Sequence, residues 1–430
     1  QYIFKDSKIN LNDSENNLNN LIKKINNLEV IDTEYNKNYK INKVITFWEK
    51  KLFNYFLNID NLKTNNQFII GFVYAHYISN CNFERKIFYY ITKLNSVGIK
   101  CCLILGNNNI KKLRIPFNYC FENIIFLPNF NYDNILKTIE NYNIKNLYFI
   151  DGLFKNLSFT ECCKINNKSK INLILSGLGG FIDVITNKNY LVLLNNIITN
   201  SPAHKIILNN NKIKLHQFYD LRPIKNIFYK KKLDRKISYI GRFYKEKQCK
   251  LLYNVFELLS KKYNDYYFYF YGIGDELNDC KDTDNIKIIN KWNNYEEVCN
   301  IIKESDFIIQ SSISEGNPNI IWESFKESTP VICSNIYGNN SIVTDNYNGY
   351  LFDLEGYDEI KNNLKLSYDN ILDHLSSKLD KTILNIIHKI ENIIKIDINK
   401  YNNLQLNCFN TYHRYSQTEN NLNIKELFNL

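Results

Sequence analysis

Residues 315–334, EGNPNIIWESFKESTPVICS, place a loop, a helix and a buried strand in close succession, and they leave this chain few folds to choose from. Pro318 has no backbone donor but suits the first turn of a helix, so the spacing predicts a helix opening near Pro318 or Asn319 with Asn317 as its cap. Glu315 then lies in the preceding loop, and Glu323 one to two turns inside the helix. Ser328, Thr329 and Pro330 stop it, and Val331 to Ser334 reads as a short, β-branched buried strand. Loop, helix, turn and strand make one unit of an α/β sheet. The first amides of such a helix have no internal partners and carry the positive end of its dipole. A phosphate set against Gly316, Asn317, Pro318 and Asn319 would therefore be stabilised. Glu323, facing the same way, could accept hydrogen bonds from vicinal hydroxyls.

Short apolar runs of the same kind recur along the chain. Phe68 to Tyr74 (FIIGFVY) suits a buried parallel strand and leads, through a loop, to a helix over Glu84 to Leu94. Lys100 to Leu105, Ile124 to Leu127, Leu147 to Ile150 and Ile197 to Ser201 follow as strands, and INLILSGLGG (171–180) reads as a strand entering a glycine-rich turn. After KLHQFYD (214–220) a second series begins with ISYIGRFYKEKQ (237–248). It continues through Tyr266 to Gly274, Ile286 to Ile289 and Asp306 to Gln310, then enters the Glu315 stretch. Two series of strands fit 430 residues, since domains commonly hold about 100–200 residues each.

The segment Glu315–Asp353 resembles the donor-binding signature of the retaining, nucleotide-sugar-dependent glycosyltransferases of family four, the glycosyl transferases group 1, which have the GT-B fold. Their pattern is E-G-x-P-N, a second glutamate eight positions after the first, T-P-V-I, a glycine-bearing loop and N-G-x-L. Glu315, Gly316, Pro318, Asn319, Glu323, Thr329, Pro330, Val331, Ile332, Gly338, Asn348, Gly349 and Leu351 fall in register without a gap. The residues 237–248 are similar to the family's strand and G-R-x-x-x-E-K-G: Gly241, Arg242, Glu246 and Lys247 match, while Gln248 replaces the last glycine. Gly272 and Gly274 stand where the family has a V-G-x-G turn, and Trp292 where it holds the nucleotide base.

What the resemblance implies is an α/β chain of two facing Rossmann-like domains. Residues 67–225 would form the acceptor-side domain and 226–400 the nucleotide-sugar-binding domain, with 401–430 a helical segment crossing back to the first. Residues 1–66, helical in pattern through Leu18, Leu21, Ile22, Ile25 and Leu28, are expected as an extension that the resemblance does not cover. Arg242 and Lys247 would grip the donor diphosphate, whose charge grows as the glycosidic bond breaks. Glu323 would take the ribose hydroxyls, and Glu315 with the amides of Gly316 to Asn319 the sugar and phosphate. The expected partners are a nucleotide sugar, such as a UDP- or GDP-sugar, and a hydroxyl acceptor on a glycan, lipid or small molecule. No metal and no cofactor are expected.

The sequence departs from the family at two loops. Asn80, Cys81 and Asn82 stand where glycines let backbone approach a ligand, although Glu84 and Arg85 match the following helix start. Near Gly177 the family often carries a histidine that contacts the donor sugar, and none is present here. His76 and Gly177 are candidate cleft residues; a lone histidine at a strand end serves structure as readily as function. These departures keep open a second reading, a protein of this fold that binds a nucleotide sugar or a partner without catalysis.

Composition narrows the remaining classes. The net charge of +10 is spread along the chain, and no nucleic-acid-binding motif accompanies it. The 11 cysteines include adjacent pairs at 101/102 and 162/163 but no C-x-x-C, which points to the reducing cytoplasm. No run of apolar residues is long enough for a transmembrane helix, so membrane contact is expected only at the periphery. Asp282 and Asp284 form a D-x-D, read here as a polar surface turn because no apolar strand leads directly into it.

Overall fold

The computed structural model describes residues 68–430, apart from 75–81, 107–123, 128, 151–156, 176–187, 202–203, 205–211, 217–226, 228, 292–293, 361–367 and 421. The helical extension expected over 1–66 lies outside the described residues, as do His76, Gly177 and Trp292.

A first sheet of seven parallel strands contains β1 (Ile70–Tyr74), β2 (Cys101–Gly106), β3 (Ile124–Leu127), β4 (Asn146–Ile150), β5 (Lys170–Leu175), β6 (Ile197–Thr199) and β7 (Ile213–Leu215). Their order is β3-β2-β1-β4-β5-β6-β7. Both faces of β1 are apolar because both are covered. Ile70, Phe72 and Tyr74 meet Ile87, Tyr90 and Leu94 of α1 (Asn82–Ser96), while Val73 packs with Ile135 and Ile139 of α2 (Tyr132–Tyr142) on the other side. Local signals start these helices: Asn131 caps α2, and Ser158 with Glu161 forms a capping box at α3 (Phe159–Lys168).

The second sheet has six parallel strands in the order β10-β9-β8-β11-β12-β13. They are β8 (Lys236–Ile240), β9 (Tyr267–Gly272), β10 (Ile286–Asn290), β11 (Phe307–Gln310), β12 (Val331–Ser334) and β13 (Gly349–Phe352). On one face, helix α5 (Cys249–Lys262, after the short α4, Lys188–Leu193) stacks Phe256 on Phe268 with ring centroids 4.4 Å apart. On the other face α6 (Tyr295–Glu304) and α7 (Asn319–Lys326) contribute Ile302, Ile321 and Phe325 to the layer over Ile308 and Val331. Each sheet is thus a Rossmann-like αβα layer. Strand order reverses direction between β1 and β4 in the first sheet and between β8 and β11 in the second, and such switch points are where open parallel sheets bind ligands.

Beyond β13 come α9 (Tyr357–Ile360), α10 (Tyr368–Ser376) and α11 (Leu379–Ile394), α8 being the single turn Tyr337–Asn340. Helix α12 (Ile398–Asn420) lies against α7, with Tyr415 edge-on to Trp322 at 4.9 Å. The chain then reaches the first sheet. Following α13 (Ile424–Leu427), the Phe428 ring packs on Phe72, Tyr90 and Tyr148. The Tyr148 hydroxyl donates to Phe428 O (2.9 Å), and Asn196 Nδ2 donates to Leu427 O (2.8 Å).

Candidate active site

The switch point of the second sheet is built by two loops, one after β8 and one after β11, whose parent strands are hydrogen-bonded neighbours. The first loop carries Gly241, Arg242 and Lys247, and the second carries Ser311 to Asn319. They are stitched together by backbone: Ile313 N donates to Glu246 O (3.0 Å), and Ser311 Oγ to Lys247 O (2.7 Å). Across the seam Lys247 Nζ meets Glu315 Oε1 at 2.6 Å, with only 16% and 14% of the two side chains exposed. The same Oε1 accepts from Ser312 Oγ at 2.7 Å. Glu315 is held from behind as well. A Cβ on Gly338 would lie 2.2 Å from Glu315 O, so the glycine of α8 is required for backbone to pass backbone.

Arg242 is set differently. Its guanidinium is half exposed, 3.5 Å from Glu246 and 4.9 Å above the Tyr244 ring. Its backbone is fixed from below, since the buried Tyr239 hydroxyl donates to Arg242 O (2.8 Å). Gly241 and Gly272 meet where two strand ends converge: a Cβ on Gly272 would lie 1.7 Å from Gly241 O. Gly272 therefore holds the loop geometry. Gly316 and Asn317 are half-buried and Pro318 buried, directly before α7, whose first residue Asn319 is exposed. Glu323 is half-buried in the body of that helix.

The cap assignment at α7 needs correcting. Pro318 occupies the N-cap position without a side-chain bond, and Asn317 Oδ1 instead accepts from Trp322 Nε1 (2.8 Å). A buried indole N–H requires an acceptor, and that demand takes Asn317 away from the helix end. Asp282 and Asp284 stay in a turn: Asp282 Oδ1 accepts from Ile288 N (2.9 Å) beside the edge strand. Asn348 also serves the framework, accepting from Thr344 N (2.8 Å) and donating to Ile342 O (3.1 Å).

Gln248 explains its own position. It adopts φ 51°, ψ 41°, the left-handed conformation that a glycine in the family pattern takes without strain. Gln248→Gly is expected to leave stability near that of the parent. A β-branched Gln248→Val should fall below both by about 1–2 kcal/mol, read from the denaturant midpoint. Equal stability of the two variants would show that this backbone conformation is not imposed by the fold.

The residues that sequence reasoning missed are the supports. Ser311, Ser312, Ser334 and Asn339 carry the loops, and the only signal for them was a serine-rich run directly after an apolar strand. Glu276 was also missed. Its carboxylate accepts from Cys249 N (3.1 Å) and Lys250 N (3.2 Å), capping α5, while burial pushes its pKa up against the pull of those two bonds.

Residues 222–376 match the family model described as Glycosyl transferases group 1. A UDP-Gal:alpha-D-GlcNAc-diphosphoundecaprenol alpha-1,3-galactosyltransferase of Escherichia coli is 36% identical over 107 residues, 23% of this chain and 27% of the relative. The match thus spans about a quarter of that relative's length. A capsular polysaccharide biosynthesis glycosyltransferase, CapH, of Staphylococcus aureus is 25% identical over 293 residues, 61% of this chain and 74% of the relative. Among solved structures, a glycosyltransferase from Rickettsia africae superposes with a TM-score of 0.51 at 18% identity, covering 84% of this chain and 99% of the other. The last likeness is one of fold. Among the described residues, no helix is long and apolar enough to cross a membrane.

Proposed function

We propose, for a chain whose residues 222–376 belong to the group 1 glycosyl transferases, that it moves a sugar from a nucleotide-sugar donor to a hydroxyl acceptor with retention at the anomeric carbon and without a metal ion. The observation that carries this reading is the Lys247–Glu315 pair, which brings a cation and a carboxylate together at the switch point, just ahead of the α7 amides. Departure of a nucleoside diphosphate puts negative charge on its phosphate oxygens. Fixed cations and helix-end amides aimed at that charge lower the barrier. Lys247 and Arg242 serve the diphosphate, with the amides of Gly316, Asn317 and Asn319 beside them. Glu315 serves the sugar, and Glu323 accepts from the ribose hydroxyls. A UDP-sugar is the first donor to try, since the Escherichia coli relative is named for one, and a lipid-linked glycan is the first acceptor class.

Thermal stabilisation and nucleoside diphosphate release, measured across a panel of UDP- and GDP-sugars, test the reading. A true donor present at about 100 times its Kd adds roughly 2.7 kcal/mol to the folded state. Stabilisation by none of the panel would contradict it. Release should continue unchanged in EDTA. Loss on chelation with recovery in Mn²⁺ or Mg²⁺ would overturn metal independence and return Asp282 and Asp284 to consideration.

A further inference from the structure

We infer that Ser312 is a positioning residue that keeps Glu315 aimed at the donor sugar once Lys247 has been drawn to the diphosphate, an inference that rests on the function proposed above. Glu315 Oε1 accepts from two donors, Lys247 Nζ at 2.6 Å and Ser312 Oγ at 2.7 Å. These donors have different futures. The lysine belongs to the loop after β8 and is the group a diphosphate would recruit, because a dianionic ligand outbids one carboxylate for an ammonium. The serine sits three residues before Glu315 in the same loop and has no competing ligand to serve.

With Lys247 withdrawn, the charge-assisted bond from Ser312 is what remains on Oε1. It holds the carboxylate in one rotamer and leaves Oε2 for the sugar. Ser312 is equipped for this because its own backbone is anchored. Ser334 Oγ donates to Ser312 O (2.5 Å), and Asn339 Nδ2 donates in turn to Ser334 O (2.9 Å) and Ser334 Oγ (3.1 Å). Ser312, Ser334 and Asn339 are all fully buried. The anchored chain therefore runs from the core below α8 to the carboxylate.

Ser312→Ala and Ser312→Thr test the assignment through glycoside formation and nucleoside diphosphate calorimetry on the full chain. Loss of the hydroxyl is expected to lower kcat about tenfold while donor KM and nucleoside diphosphate affinity hold, since the nucleotide does not touch this serine. Ser312→Thr keeps the hydroxyl and should recover most of the rate; if its extra methyl prevents folding, the split between kcat and KM in Ser312→Ala decides alone. An unchanged kcat in Ser312→Ala overturns the inference, as does a fall matched by an equal loss of affinity. Wild-type protein that turns over no donor would overturn the function itself and this inference with it. Wild-type turnover with an indifferent Ser312→Ala sinks the inference only.

Discussion

Asp306→Ala is expected to lower the free energy of unfolding of the described region by about 3–5 kcal/mol, the usual cost of breaking a buried ion pair from one side. Asp306, 2% exposed, lies directly before β11. Its carboxylate accepts from Lys230 Nζ (2.8 Å), Asp234 N (3.1 Å) and Lys236 N (3.1 Å). Its backbone oxygen accepts from the fully buried Tyr401 hydroxyl (2.7 Å). While the backbone oxygen of this residue holds helix α12, its side chain ties the entry to β8 to the start of β11. Removing it strands two amides and leaves the buried Lys230 ammonium with Asp234, whose side chain is half exposed, as its remaining carboxylate. Asp306→Asn keeps the size and part of the acceptor capacity and should cost less. The measurement is a denaturant titration followed by far-UV circular dichroism; a shift under 1 kcal/mol for the alanine variant would mean that the pair is replaced by water without penalty.

The second large effect separates the two sides of the site. Lys247→Ala should weaken nucleoside diphosphate binding about ten- to a hundredfold, since a hydrogen bond to a charged group is worth roughly 1.5–3 kcal/mol. Glu315→Ala should act in the opposite sense on affinity. It frees Lys247 from a partner 2.6 Å away, so nucleoside diphosphate binding is kept or tightened. Turnover should nevertheless fall by about 10²–10³, the usual cost of removing a group that serves the transition state. Arg242→Ala is expected to follow Lys247→Ala with a smaller loss, because its guanidinium is already half exposed and screened by solvent. Calorimetry with UDP and GDP beside product formation reads all three. Parallel losses of affinity in Lys247→Ala and Glu315→Ala would show that the pair is a structural bridge and that neither group is released to ligand.

Most of the framework was legible because its signals are local. Val331 to Ser334 and Ile124 to Leu127 appear as strands over the residues expected, and the other expected strands shift only at their ends, since an uninterrupted β-branched run bounded by turn residues has few alternatives; the short β7 and β13 were not expected as strands. Gly241, Arg242, Lys247 and Glu315 were singled out by the family resemblance, and the fold brings their two distant loops together at one seam. What could not be read is long-range. Asn317 looked like a cap because its type and place suit one, and only the burial of the Trp322 indole, set by packing against α12, creates the competing demand for an acceptor. Ser312 and Ser334 lie 22 positions apart and meet only because β11 and β12 are neighbours in the sheet. The turn between α10 and α11 is marked in the sequence only by Ser376 and Ser377, weak breakers beside strong apolar periodicity. The return of 401–430 to the first sheet was implied by the resemblance, but the residue that makes the contact was not, since Phe428 meets Tyr148 280 positions away.

Product analysis of the wild-type protein, incubated in EDTA with its stabilising nucleotide sugar and a panel of hydroxyl acceptors, tests the proposed activity most directly. One glycoside, bearing the anomeric configuration of the donor, should form for each nucleoside diphosphate released, with Glu315→Ala yielding almost none. A wild-type protein that binds the donor tightly, transfers the sugar to no acceptor and does not hydrolyse it would contradict catalysis and leave a nucleotide-sugar-binding protein with this fold.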